Sequence, residues 1–434
     1  MTRYFLAGLI FVGSSWAWEK ASAQEIRTTD TSQTESPKTK TNKPPKAKRQ
    51  IKRGIKWLVA AQQANGGWGA GSHAHQEIRD PNAVPTDPAT TAFAATALLK
   101  AGHTPTSGDY QDAVRQATEN LVATVEAAEP KNAKITSLSG TQPQRKLGEM
   151  IDTAMTAQFL TRVAEHLPQN DPLAKRVEAA LSECLERLER TQQKDGSWQG
   201  GGGWAPVLQS AMNCNSLEMA LATGRKVDAS KLKAAKQYQK SSINIDSGAA
   251  MSGASGGVEL YAFAGGLRGN AGDAAEAQQA VESAKAAGKL EEDAPVNEQS
   301  LRIAGVSEIR AKELGDATAQ NQSQLRRLSD EQLLAGFGNN GGEEFLSYLM
   351  TSESLVIAGG EAWDKWNKNM TSRLGKVQNQ DGSWSGHHCI TSPVFCTAAA
   401  LQVLLTEKDV DLLRKIAKLK DSTSNDDDEP AQGK

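Results

Sequence analysis

Four cysteines in 434 residues are too few for a disulfide scaffold, and none falls in a paired C-x-x-C zinc pattern. Excess charge is also scarce, with 49 basic against 51 acidic residues and a net charge of −2, which excludes a nucleic-acid binder driven by bulk basicity. Beyond the N-terminus no apolar run reaches the ~18 residues a membrane span needs, so no transmembrane span is expected in the mature chain. Aromatic residues make up only 5% of the whole. What remains is a chain 38% hydrophobic and 23% charged with thirty-eight glycines, long enough to bury one large core.

The N-terminus reads as an address. Arg3 precedes the apolar stretch from Tyr4 to Trp18, and Ala21-Ser22-Ala23 is a small-x-small processing site, so residues 1–23 are expected to be a signal peptide cleaved after Ala23. The protein is then exported, to the periplasm or the outside. Residues 24–50, rich in Thr, Ser, Pro and Lys, lack apolar periodicity and are expected to form a disordered basic linker. Its lysines could attract an anionic envelope surface, although a solvated leader explains them as well. Residues 419–434, with Asp426-Asp427-Asp428-Glu429, read as a disordered acidic tail.

Three segments between these ends match one another. They are Gln62-Gln63-Ala64-Asn65-Gly66-Gly67-Trp68, Gln192-Gln193-Lys194-Asp195-Gly196-Ser197-Trp198 and Gln378-Asn379-Gln380-Asp381-Gly382-Ser383-Trp384. Each reads Q-x-x-x-G-x-W at the end of a helix-period pattern and precedes a second, Ala- and Thr-rich apolar helix. Asn or Asp with Gly supplies a turn and the positive φ of a helix C-cap, and Trp supplies a large apolar plate against the next element. Structural clamping is the reading these Gln and Trp residues favour over ligand contact. Helix periods give six pairs. The first members are expected over roughly 51–63, 109–127, 173–192, 228–240, 319–335 and 362–379. The second members are expected over roughly 89–101, 148–165, 206–223, 247–264, 343–358 and 392–405. Second members are apolar all round and should be inner helices, whereas first members carry regular charges and should be outer. Residues 265–318 read as an insertion within a single domain over 51–418.

On these repeats the chain resembles the terpenoid cyclase and protein prenyltransferase superfamily, over roughly residues 51–405. The resemblance implies an all-α fold, an (α/α)6 toroid of inner and outer helices. It does not carry the superfamily's chemistry across. The D-x-D-D motif of squalene cyclases is absent from the toroid, and few aromatics remain to line a carbocation cavity. The D-x-C zinc motif of prenyltransferases and the G-C-G-E-Q motif of thioester domains are absent too.

Candidate chemistry gathers where loops enter the inner helices, because helix N-termini concentrate positive potential at one mouth of a toroid. Gly386-His387-His388-Cys389-Ile390 concentrates two of the six histidines. His388, Glu343, Glu344 and Asp152 are the candidate catalytic groups, and Trp204, Asn213, Asn215, His387 and Asn340 the candidate ligand contacts. Carboxylates opening a helix are also ordinary caps. His388 and Cys389 with an acid offer the donor types zinc takes, while Cys389 and Cys396 would instead pair as a disulfide in an oxidising compartment. The sequence names no cofactor. Three functions stay open: binding of a hydrophobic or polymeric ligand in the central cavity, lyase or hydrolase action on envelope or extracellular glycans, and an interaction module.

Overall fold

The computed structural model describes residues 45–199, 202–244, 249, 256–338 and 340–419. The expected signal peptide, most of the basic leader and all but the first residue of the acidic tail lie outside these residues. Among the described residues there are sixteen α-helices and no β-strand. In chain order they are α1 (Pro45–Ala60), α2 (Pro88–Lys100), α3 (Gln111–Ala127), the short α4 (Gln142–Leu147), α5 (Ile151–Ala164), α6 (Pro172–Thr191), α7 (Pro206–Ala222), α8 (Ala229–Lys240) and α9 (Glu259–Ala286). There follow α10 (Glu298–Ile303), α11 (Glu308–Leu325), the single turn α12 (Glu331–Leu334), α13 (Gly342–Ala358), α14 (Ala362–Val377), α15 (Pro393–Leu404) and α16 (Val410–Ala417).

The inner helices α2, α5, α7, α9, α13 and α15 each pack on the next, and α15 returns to α2, so the ring closes. The outer helices α1, α3, α6, α8, α11 and α14 lie against them, and the architecture is the expected α/α toroid. Composition explains the sorting. Every residue of α2 is buried, as its uniformly small and apolar sequence requires, while α6 buries only one stripe led by Val177, Leu181 and Leu188.

The three repeats are staples. In each, the Gln amide donates to the Gly carbonyl four residues on, at 2.8, 3.2 and 2.8 Å for Gln62, Gln192 and Gln378. The same amide donates to the following outer helix, at the carbonyls of Ala113 in α3, Lys231 in α8 and Gln50 in α1. Gln378 thereby joins the last outer helix to the first. Trp68, Trp198 and Trp384 are fully buried, and each indole N–H donates to a Leu carbonyl ten residues earlier. Gly196 has no substitute at its position. Its φ is +86°, and a Cβ there would lie 2.1 Å from the Ala234 carbonyl oxygen.

The expected bounds of the leader and the expected insertion are corrected. Helix α1 begins at Pro45, so the leader ends earlier than 50. The supposed insertion over 265–318 is ordered: the fourth inner helix runs over Glu259–Ala286 rather than 247–264, and the fifth outer helix over Glu308–Leu325 rather than 319–335. Large apolar residues are sparse there because close approach does the packing. A Cβ on Gly265 would lie 2.8 Å from Val207 of α7, and one on Gly266 would lie 2.3 Å from Ile243. The distal half of α9 with α10 and α11 buries its own small core of Ala277, Val281, Leu301, Ala311 and Leu314. Finally, the chain beyond 405 closes the far end of the ring. The 3-10 turn Thr406–Asp409 and α16 pack on α7, α9 and α13.

Candidate functional site

The loops entering α5, α7, α9, α13 and α15 supply a cluster at the opposite end. The loop 386–392 is held rigidly from three sides. Arg79 donates to the carbonyls of Gly386 and Thr391, both at 2.8 Å. The Gln142 side-chain oxygen accepts from the amides of Thr391 at 2.7 Å and Ser392 at 3.1 Å. The Gly342 and His387 amides donate to Ile390 and Asn340 carbonyls. Under this restraint Cys389 takes a φ of +59°, and among the described residues no other non-glycine is left-handed. Such strain persists only where surroundings impose it, and it gathers at functional sites.

Glu343 and Glu344, in the first turn of α13, are both buried. The Tyr261 hydroxyl donates to Glu344 Oε1 at 2.8 Å, the Phe337 amide donates to the same oxygen at 3.2 Å, and His388 Nε2 lies 3.7 Å from Glu344 Oε2. Glu343 accepts from the Ile390 amide at 3.2 Å. Burial, and then the charge of Glu344, push Glu343 up to about 7, against the opposing pull of that amide and of Lys146. Burial and the Glu343 charge likewise push the Cys389 thiol up to about 11. Cys389 is therefore a neutral thiol at physiological pH rather than a nucleophilic thiolate.

Lys146 completes the cluster. It lies in the last turn of α4, whose start is fixed by a capping box of Thr141 and Gln144. Its residue is 3% exposed, and its ammonium lies 3.9 Å from the centroid of the Trp204 ring. Trp204 is itself 58% exposed. Phe337, 61% exposed, meets the His388 ring edge-on at 5.3 Å. The result is a buried group of one cation, two carboxyls and a phenol, with the half-buried Cys389 thiol beside it, flanked by two solvent-facing aromatic plates.

Other expected site residues lie elsewhere. Asp152 is fully buried and both its oxygens are committed, accepting from the Ala89 amide at 3.0 Å and from Gln144 at 2.7 Å. Through these bonds it holds the first turn of α2 and the segment carrying Lys146. Burial and the neighbouring Asp87 charge push it up to about 7. Asn213 and Asn215 lie about two turns inside α7, fully buried, and do not reach the mouth. Asn340 and His387 are on the rim loops. The Cys389–Cys396 disulfide is not formed: all four cysteines are free, and Cys396 sits in α15 with its thiol 3.5 Å from the Ile390 carbonyl. The zinc reading of His388 and Cys389 also loses support, because among the described residues no group of three or more His, Cys, Asp or Glu side chains is placed to hold a metal.

These carboxyls set a pH dependence. Folded Asp152 and Glu343 hold protons that the unfolded chain releases above about pH 4, so stability falls as pH rises from there to about 7. A melting-temperature series from pH 5 to 8 is expected to decline, and Glu343→Gln to decline less steeply. A flat wild-type series would contradict the burial argument.

Sequence reasoning missed Lys146, Tyr261 and Phe337. Lys146 carried a usable signal, the capping-box pattern Thr141 to Gln144 just before it. Tyr261 was obscured by the misplaced boundary of α9, and Phe337 by lying in a loop.

Residues 38–136 match the family model of the squalene-hopene cyclase C-terminal domain. Among solved structures, the type II terpene cyclase MstE from Scytonema in its apo form aligns at 14% sequence identity with a TM-score of 0.42, over 84% of this chain and 99% of that one. No curated protein sequence matches. The resemblance carried by the repeats stands on the family match and the helical ring: the chain is similar to the terpenoid cyclases in kind.

Proposed function

We propose that this terpenoid cyclase-like toroid binds a glycan at the mouth formed by the inner-helix N-termini. The observation that carries the reading is the pair of exposed plates, Trp204 and Phe337, beside the buried Lys146, Glu343 and Glu344. An indole face and a phenyl face beside a few convergent polar groups suit the mixed apolar and hydroxylated faces of a sugar. A hydrophobic ligand along the axis is less well supported, since α2 and α15 are buried throughout and the far end is closed by the C-terminal turn and helix. Cavities of about 260, 420, 560 and 590 Å³ are lined mainly by outer helices and connecting loops. No helix among the described residues is long and apolar enough to cross a membrane. Export, expected from the leader, would bring the protein to envelope or extracellular glycans.

Turnover is the second reading, favoured by one specific observation. Glu343 is pushed up to about 7 beside the carboxyl of Glu344, and acid–base cleavage of a glycosidic bond calls on a pair of carboxyls, one of them able to hold a proton near neutrality.

Calorimetric titration of the full chain with neutral and acidic oligosaccharides tests the binding reading. Trp204→Ala is expected to weaken binding about tenfold, the equivalent of about 1.4 kcal/mol of stacking. Equal affinity in the variant, or no binding by the wild type, would refute the reading. Release of reducing ends by wild type but not by Glu343→Gln would establish turnover.

A further inference from the structure

Beside the mouth lies a second, differently charged concavity. It measures about 420 Å³ and is enclosed by α12, α13 and α14, within the size range of ordinary ligand sites. Its floor is Tyr348, whose hydroxyl is already spent on the Leu334 carbonyl at 2.5 Å. One wall is the face of α14 bearing Asn369, Arg373 and Lys376, three and four residues apart and so on one side of the helix. Asn340 borders it opposite.

Building on the glycan reading, we propose that this groove is a subsite for the carboxylate of an acidic sugar, so that the preferred ligand is a uronate-containing glycan that passes from the mouth over Phe337. Three observations carry this. First, the groove holds two cations against one acid. Arg373 pairs with Glu331, and Lys376 has no ion-pair partner among the described residues. Second, the Arg373 guanidinium is pre-oriented, standing 5.9 Å from the Tyr348 ring centroid, and a planar fork matches a carboxylate in two parallel hydrogen bonds. The Glu331 side chain holding it is 80% exposed. Such a surface partner contributes little and is readily exchanged for a ligand carboxylate. Third, groove and mouth share one loop. Ala335, Gly338 and Asn340 line the groove, Phe337 between them meets His388, and the Asn340 carbonyl accepts the His387 amide at 2.7 Å.

The test compares a neutral hexasaccharide with a hexauronate by calorimetry on the full chain at low and moderate salt. The wild type is expected to bind the uronate about tenfold more tightly, with the preference shrinking as salt rises. Arg373→Ala combined with Lys376→Ala is expected to bring uronate affinity down to that of the neutral sugar, and Glu331→Gln to raise uronate affinity severalfold by removing the competing carboxylate. Equal wild-type binding of both sugars, or a double variant that keeps the preference, overturns the subsite while leaving the glycan reading intact. Binding of neither sugar overturns both.

Discussion

Replacing Asp409 with alanine is expected to cost about 3–5 kcal/mol of stability, because it strands buried charge. Asp409 Oδ2 lies 2.6 Å from an Arg162 nitrogen and 3.1 Å from Lys100 Nζ. Lys100 also meets Glu353 at 2.9 Å, and Arg162 lies 3.8 Å from the same carboxylate. Two cations and two anions therefore balance in a site where all four side chains are nearly or fully covered. They come from α2, α5, α13 and the turn before α16, so the network ties the C-terminal closure to three inner helices. Without Asp409 the site carries a net buried positive charge and the closure loses its anchor. Asp409→Asn should fall between wild type and alanine, since it keeps the shape and an acceptor oxygen. Urea unfolding monitored by circular dichroism measures the difference. A loss under about 1 kcal/mol would mean that water reaches these charges and the closure is loose. The network also predicts the acid limb of stability. The Arg162 and Lys100 charges hold the Asp409 carboxyl far below its ordinary range despite its burial. Its contribution is complete above the unfolded value of about 4 and is lost as pH falls below it. With the opposite trend set by Asp152 and Glu343, the stability maximum belongs on the acidic side of neutrality.

Trp384→Ala should be comparably damaging, at about 3–5 kcal/mol, through loss of a fully buried indole and the cavity left behind. The position matters beyond its volume. Trp384 belongs to the repeat that joins α14 back to α1, and its ring is packed so closely on α1 that a Cβ on Gly54 would come within 2.8 Å of it. Its backbone amide donates to Thr397 Oγ1 of α15 at 2.9 Å, and its indole to Leu374 of α14. One residue thus contacts the first outer, last outer and last inner helices. Trp384→Phe is expected to be milder, losing the indole hydrogen bond at about 1 kcal/mol together with part of the packing. Trp204→Ala provides the contrast: an exposed ring on the rim should change stability by about 0.5 kcal/mol or less. Thermal unfolding of the three variants side by side checks the order. If Trp384→Ala were as benign as Trp204→Ala, the staple would not be what closes the ring.

Ten of the twelve paired helices fall within a few residues of their sequence-derived ranges, save that α1 starts six residues early. The two misplaced ones, α9 and α11, show where pattern reading fails. In α9, Gly265, Gly266 and Gly269 pack by absence of side chains, which thins the apolar period there. The closing turn before α16 was passed over for a related reason: Asp409 looks like a surface acid until Lys100 and Arg162, hundreds of residues away in the chain, are brought to it.

The ring was written into the linear order of residues because its staples are short-range. A glutamine, a turn four residues on and a tryptophan reaching ten residues back are chemistry that any local segment displays. The mouth was not, apart from Glu343, Glu344, His388, Cys389 and Trp204, since it recruits Lys146, Tyr261 and Phe337 from segments that meet only when six inner helices converge. That Glu343 is pushed towards its protonated form is likewise a property of burial and of neighbours in space, and those exist only in the folded molecule.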